Sequence, residues 1–231
     1  MPLPVPKFKN RFRVPRKTKS VLNMPLRDVK PNFWQHGKKF LRNFRSHFYK
    51  INGRTYLVDL KGSIWESPYS ITVSYYDPKK KEGVYLFDGR IAFKENTVVV
   101  KALQGWTGVS SDIRAFEKEA KMPMANFVCS VIEAEAKRLG YKAVHIMRPE
   151  KNRWFQTPTL YREVSKTARG KSLYEKWESG ELKESEEKEL ARLKETAKEN
   201  IQQRMKKITN GAAEARGYKP LKNFFRKKLA E

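Results

Sequence analysis

The sequence predicts an α+β domain with a mixed central sheet, a basic N-terminal arm and a long helical insertion near its C-terminus. Three observations lead there. Strand-like apolar runs between residues 48 and 103 are separated by short turn signals, which implies an antiparallel meander. A helix-spaced apolar stretch from Pro123 and a β-branched run over residues 143–147 follow the meander. Residues 1–50 hold eight Lys and six Arg against a single acid, Asp28, and carry +13 of the chain's formal +25.

The elements follow in order. Pro2, Pro4, Pro6 and Pro15 favour polyproline II, and the charge opposes collapse, so residues 1–32 are expected to be extended. Phe33, Phe40, Leu41, Phe44 and Phe48 fall on one face of a short basic helix. Those rings either dock the arm on the globular body or stack on nucleotides. The run Phe48 to Leu60 folds back at Asn52-Gly53. Ser70 to Tyr76, Val84 to Phe93 and Thr97 to Leu103 follow, divided by residues 77–83 and by Glu95-Asn96. Residues 112–121 read as a short charged helix. Pro123 opens a better one, with Met124, Phe127, Val128, Val131, Ile132, Ala136 and Leu139 on its apolar face and Gly140 as its stop. Ala143 to Met147 is a buried strand. A short helix around Leu173 to Trp177 ends at Gly180, and residues 181–216 form one long helix whose outer faces are Glu and Lys. The two are expected to form a hairpin. The chain therefore divides into a basic extended arm (1–47), an α/β core (48–160), a helical insertion (161–205), and a closing helix and strand with a basic tail (206–231).

An acid-poor arm threaded with aromatics suits a polyanion. Each cation placed on a phosphate releases a condensed counterion, and flat rings stack on bases. The nucleic-acid-binding candidates in the first helix and arm are Lys7, Lys9, Arg11, Arg13, Arg16, Lys17, Lys19, Lys38, Lys39, Arg42 and Arg45. Arg148, Lys151, Arg153 and Trp154 follow the buried strand, where α/β ligand sites often lie. They suit phosphate binding and base stacking, or else a solvated loop with Trp154 in the core. No apolar run is long enough to span a membrane, so no membrane insertion is expected. The lone cysteine, Cys129, excludes a disulfide within the chain and any Cys-based metal cluster. That reads as an intracellular protein, cytoplasmic or associated with a virion or nucleoid. His36, His47 and His145 show no ligand spacing, and His145 is expected to be structural. Glu66 and Asp88 lie nearest strand ends but lack a partner that would make either a general base.

The order of strands, a strand ending in Gln104-Gly105, a helix and a further strand resembles the core of the GNAT acyltransferases. The run Thr209 to Tyr218 (TNGAAEARGY) is similar to the close of that family's fourth helix. The resemblance covers about residues 70–160 and 205–220, with 160–205 as an insertion. In the family a Gln/Arg-x-x-Gly-x-Gly/Ala loop runs into a helix and cradles the coenzyme A pyrophosphate. The resemblance therefore implies Gln104, Gly105, Gly108 and Ser110 as the acyl-CoA loop, and a tyrosine in the region of Tyr218. Here Gln104 and Gly108 stand four apart, and the apolar helix opens only at Pro123. On that spacing the loop is expected not to hold coenzyme A, and no cofactor or metal is expected.

These features predict a nucleic-acid-binding protein, without catalysis, in a larger nucleoprotein assembly. One rival is an acyl-CoA-dependent N-acyltransferase recruited to an RNA or ribosomal substrate. Another is a protein–protein adaptor that docks through the helix 181–216.

Overall fold

A computed structural model describes residues 31–51, 53–62, 67, 69–77, 82–106, 108–156, 158 and 160–229, leaving aside the side chains of 31–36 and 153–154. Helix α1 (Pro31–Asn43) leads into the strands β1 (His47–Ile51), β2 (Arg54–Gly62), β3 (Tyr69–Asp77), β4 (Glu82–Lys94) and β5 (Thr97–Gly105). Helices α2 (Ser110–Ala120) and α3 (Met124–Arg138) connect β5 to β6 (Ala143–Met147). After a 3₁₀ turn at Pro149–Lys151 come α4 (Arg153–Gln156), α5 (Tyr161–Val164), α6 (Ala168–Ser179) and α7 (Glu184–Ala215). Strands β7 (Lys219–Pro220) and β8 (Phe224–Lys228) close the chain.

The eight strands form one mixed sheet in the order β1-β2-β3-β4-β5-β6-β8-β7. Strands β1 to β5 are the antiparallel meander expected from the turn signals, and β5 pairs with β6 in parallel. A parallel pair needs a crossover, and α2 with α3 supplies it. Helix α3 buries Met124, Phe127, Val128, Val131, Ile132 and Ala136. Its close approach to the sheet rests on Gly89, where a Cβ would stand 2.6 Å from Val128 Cγ1. Phe116 of α2 is fully buried beside Tyr56 and Phe127.

Three boundaries differ from the sequence reading. The short helix expected over Phe33 to Phe48 runs from Pro31 to Asn43, and it does not belong to a free arm ending at residue 47. Phe40 is fully buried against Phe93 and Tyr141, so α1 belongs to the body. Apolar burial outweighs charge there, because Lys38, Lys39 and Arg42 keep their cations on the outer face. The division at residue 205 falls inside α7, which is continuous from Glu184 to Ala215. The first half of α7 packs Leu190 and Ala197 on Leu173 and Tyr174 of α6 and Val164 of α5, forming a second small core and the expected hairpin. The other end of α7 places Ala212 and Ala213 in the main core. The basic tail is in part a strand: Arg226, Lys227 and Lys228 lie in β8, paired with β6. Residues 1–30, with their seven candidate cations, and Glu66 lie outside the described residues.

Among the described residues no helix is long and apolar enough to cross a membrane, and no cluster of His, Cys, Asp or Glu is arranged for a metal.

Candidate ligand cleft

Strand β6 pairs with β5 only from Thr97 to Val100. Beyond Val100, β5 continues to Gly105 with β4 on its other side, while β6 ends at Met147. Where that pairing ends, a cleft of about 1230 Å³ opens beside the end of β5. Its walls are the end of β5, the start of α2 and α3, α5, and the second half of α7. Buried Asn152 ties the chain after β6 to this edge, its Nδ2 donating to Lys101 O at 3.1 Å.

The loop after β5 shapes the mouth. Gly105 lies against α2, where a Cβ would meet Ile113 Cδ1 at 2.8 Å. Gly108 has φ +79, in the left-handed region that favours glycine, with open space around it. Val109 is then the N-cap and Ser110 the first helical residue. The charged helix expected over 112–121 thus opens two residues earlier and follows the loop directly, so the first helix N-terminus after the loop is at Ser110 and not at Pro123. Helix α2 starts two residues before the charged stretch because Ile113 and Phe116 pull its first turn onto the sheet. Gln104, Gly105, Gly108 and Ser110 all line the cleft, and Gln104 stands opposite Asp88 across the β4–β5 ladder.

The acids of this region are engaged. Asp112 accepts from Arg54 Nη1 at 3.2 Å and Tyr75 OH at 3.0 Å. Glu117 Oε1 accepts from the Met124 N–H at 2.8 Å and so caps α3. Burial alone would raise the Glu163 carboxyl, but hydrogen bonds from Lys166 and Arg204 hold it below the usual carboxylate range. Buried Asp88 accepts from Thr72 Oγ1 at 3.0 Å. Arg114, Arg162 and Lys207 also line the cleft, and none forms an ion pair among the described residues.

The remaining candidates scatter. Lys38, Lys39, Arg42 and Arg45 are exposed on or just after α1. Arg148 turns toward β8, its guanidinium 5.1 Å from the Phe225 ring centre. Lys151 is exposed on the 3₁₀ turn, and Arg153 and Trp154 open α4. His145 sits in β6 beside Phe224, and burial, then Arg226 and Lys94, lower its pKa. Cys129 is buried, which pushes its thiol up to about 12. Tyr218 is also buried, and its hydroxyl donates to Glu133 Oε1 at 3.0 Å. Burial, then Cys129 and Glu133, raises its pKa.

Sequence reasoning missed Asn152, Arg114, Arg162, Lys166, Arg204 and Lys207, which come to one cleft from four separate segments. One signal was present. Gly211 sits inside a long helix where glycine costs about 1 kcal/mol relative to alanine, and it lines the cleft with open space at its Cβ position. No protein-family model, curated protein or solved structure matches the chain.

Proposed function

We propose that this chain is a GNAT-like protein that holds an acyl-CoA-type ligand in the β5–β6 cleft, and that its basic arm recruits it to nucleic acid. One observation carries this reading: Gly108 and Val109 lead directly into the N-terminus of α2, at the mouth of the cleft that Gln104, Gly105 and Ser110 also line. A helix N-terminus directs unpaired N–H groups and a positive dipole end at an anion. Arg114, Arg162 and Lys207 add charge for further phosphates. Beyond Lys101, whose carbonyl Asn152 already engages, the main chain of β5 has a strand partner on one side only, so an extended, amide-bearing ligand can pair with the other. The strand order, with its single parallel junction at β5 and β6 among the described strands, also supports the reading.

The test is titration calorimetry with acetyl-CoA. Saturable binding is expected in the micromolar range. Gly108→Val should weaken it at least tenfold, because valine is strained at φ +79 and would rebuild the loop. No saturable heat at millimolar ligand overturns the proposal.

A second reading, nucleic-acid binding without catalysis, is favoured by the carboxylates. Glu117 and Glu163, which line the cleft, are both occupied, and Tyr218 is tied to Glu133. The exposed cations of α1 extend the basic arm onto the body. Coenzyme binding separates the two readings.

A further inference from the structure

We propose that Tyr76, Tyr85 and Trp106 form a stacking platform for the bases of a single-stranded nucleic acid, at the end of the sheet where the cleft opens. This goes beyond the proposed function, in which the arm alone contacts nucleic acid. The three rings are 60%, 38% and 47% exposed. Isolated surface aromatics are common, but these are gathered. Tyr85 and Trp106 lie 5.3 Å apart with 30° between their planes. Tyr76 pairs across β3 and β4 with Gly83, two residues from Tyr85, so both tyrosines stand on one face of the sheet. Gly83 has no side chain to cover either.

The platform is braced. Trp106 N donates to Leu86 O at 2.8 Å, which ties the indole's backbone to β4. Lys61 Nζ donates to Tyr85 OH at 2.7 Å and lies 4.1 Å from the ring centre. A cation is thus already stationed at the edge of the stack, where a phosphodiester would pass. Trp106 itself lines the cleft.

Flat, half-exposed rings with flanking cations fit bases that are free to unstack, which duplexes do not offer. They fit a membrane or an apolar protein face poorly, because Lys61 holds charge against the rings. The +25 of the chain favours the same partner.

The test uses the full chain, a 5′-labelled oligothymidylate of about 12 nucleotides and an abasic strand of equal length, read by anisotropy. The wild type should bind the base-bearing strand more tightly. Trp106→Ala should raise its Kd about 5- to 150-fold, with Trp106→Phe close to wild type and Tyr85→Ala in between. The salt slope should not change, because no phosphate contact is lost. Thermal unfolding of each variant confirms that it is folded, and Tyr76→Ala provides a second, more exposed site. Equal affinity for the two strands overturns the proposal, as does unchanged affinity in the alanine variants. So does a Trp106→Ala loss confined to coenzyme A, which would assign the rings to that ligand's adenine. In those cases arm-driven binding, read from the salt slope alone, still stands.

Discussion

Helix α3 and the cleft handle charge in opposite ways. Glu133 and Glu135 stand two residues apart on α3, on different sides of the helix, and both are buried. Arg216 grips Glu133 with two hydrogen bonds of 2.7 and 2.6 Å, and Lys227 and Tyr218 add two more at 2.8 and 3.0 Å. Glu135 is held by Arg138, by His47 at 3.2 Å and by the Arg45 N–H at 3.3 Å. In the cleft, cations outnumber acids, and Arg114, Arg162 and Lys207 form no ion pair with a described residue. A buried charge must be matched inside the fold, whereas charge at an open cleft is available to a ligand. The first group therefore bears on stability and the second on binding.

Removing the Glu133 carboxylate should have the largest effect. Its cage joins α3 to Arg216 and Tyr218, just after α7, and to β8. Glu133→Gln leaves Arg216 and Lys227 without their counter-charge and should cost about 3–5 kcal/mol by denaturant unfolding. Combining Glu133→Leu with Arg216→Met and Lys227→Met should recover part of that loss. If Glu133→Gln alone costs nothing, α3 is no more constrained than the cleft and the comparison fails.

The Glu135 site should respond to pH. Burial alone would raise its pKa, but His47, Arg138 and the Arg45 N–H bring it down from 4.5 to about 2 in the folded state. A carboxyl depressed on folding stabilises fully above its unfolded value and loses that contribution as pH falls toward the folded one. On the order of 3 kcal/mol should disappear between pH 4.5 and 2. Urea midpoints of wild type and Glu135→Gln should therefore differ at neutral pH and converge in acid. A constant difference across that range would show that Glu135 acts through packing alone.

The regular elements were legible because they depend on local spacing. The strand-like runs Ser70 to Tyr76 and Val84 to Phe93, the Asn52-Gly53 turn signal and the apolar stripe from Met124 each specify an element without reference to the rest of the chain. The α2 start was misplaced because Ser110 and Ser111 carry no helix-period signal. What places them in a helix is Phe116 settling beside Tyr56 and Phe127, a contact made over a long sequence separation. The cleft was illegible for the same reason. Arg114, Arg162, Arg204 and Lys207 read as solvated helix charge until the fold gathers them. The cage around Glu133 was hidden too, since its partners lie more than eighty residues away.

The smallest effect on stability should come from the cleft cations. Arg114 is exposed and Lys207 has no ion pair among the described residues, so truncating either removes no counter-charge from a buried acid. Arg114→Ala and Lys207→Ala should each stay within about 0.5 kcal/mol of wild type in denaturant unfolding. Both should weaken acetyl-CoA binding several-fold, more so at low salt, where screening is weaker. Arg204→Ala is the sharper control, because Arg204 lies in the same cleft yet donates to Glu163 at 3.0 Å. It should lose measurable stability as well as affinity, though less than Glu133→Gln, since Lys166 remains to hold Glu163. If Arg114→Ala or Lys207→Ala destabilised the fold as much as Arg204→Ala, those cations would be structural, and the cleft would have no charge set aside for a ligand.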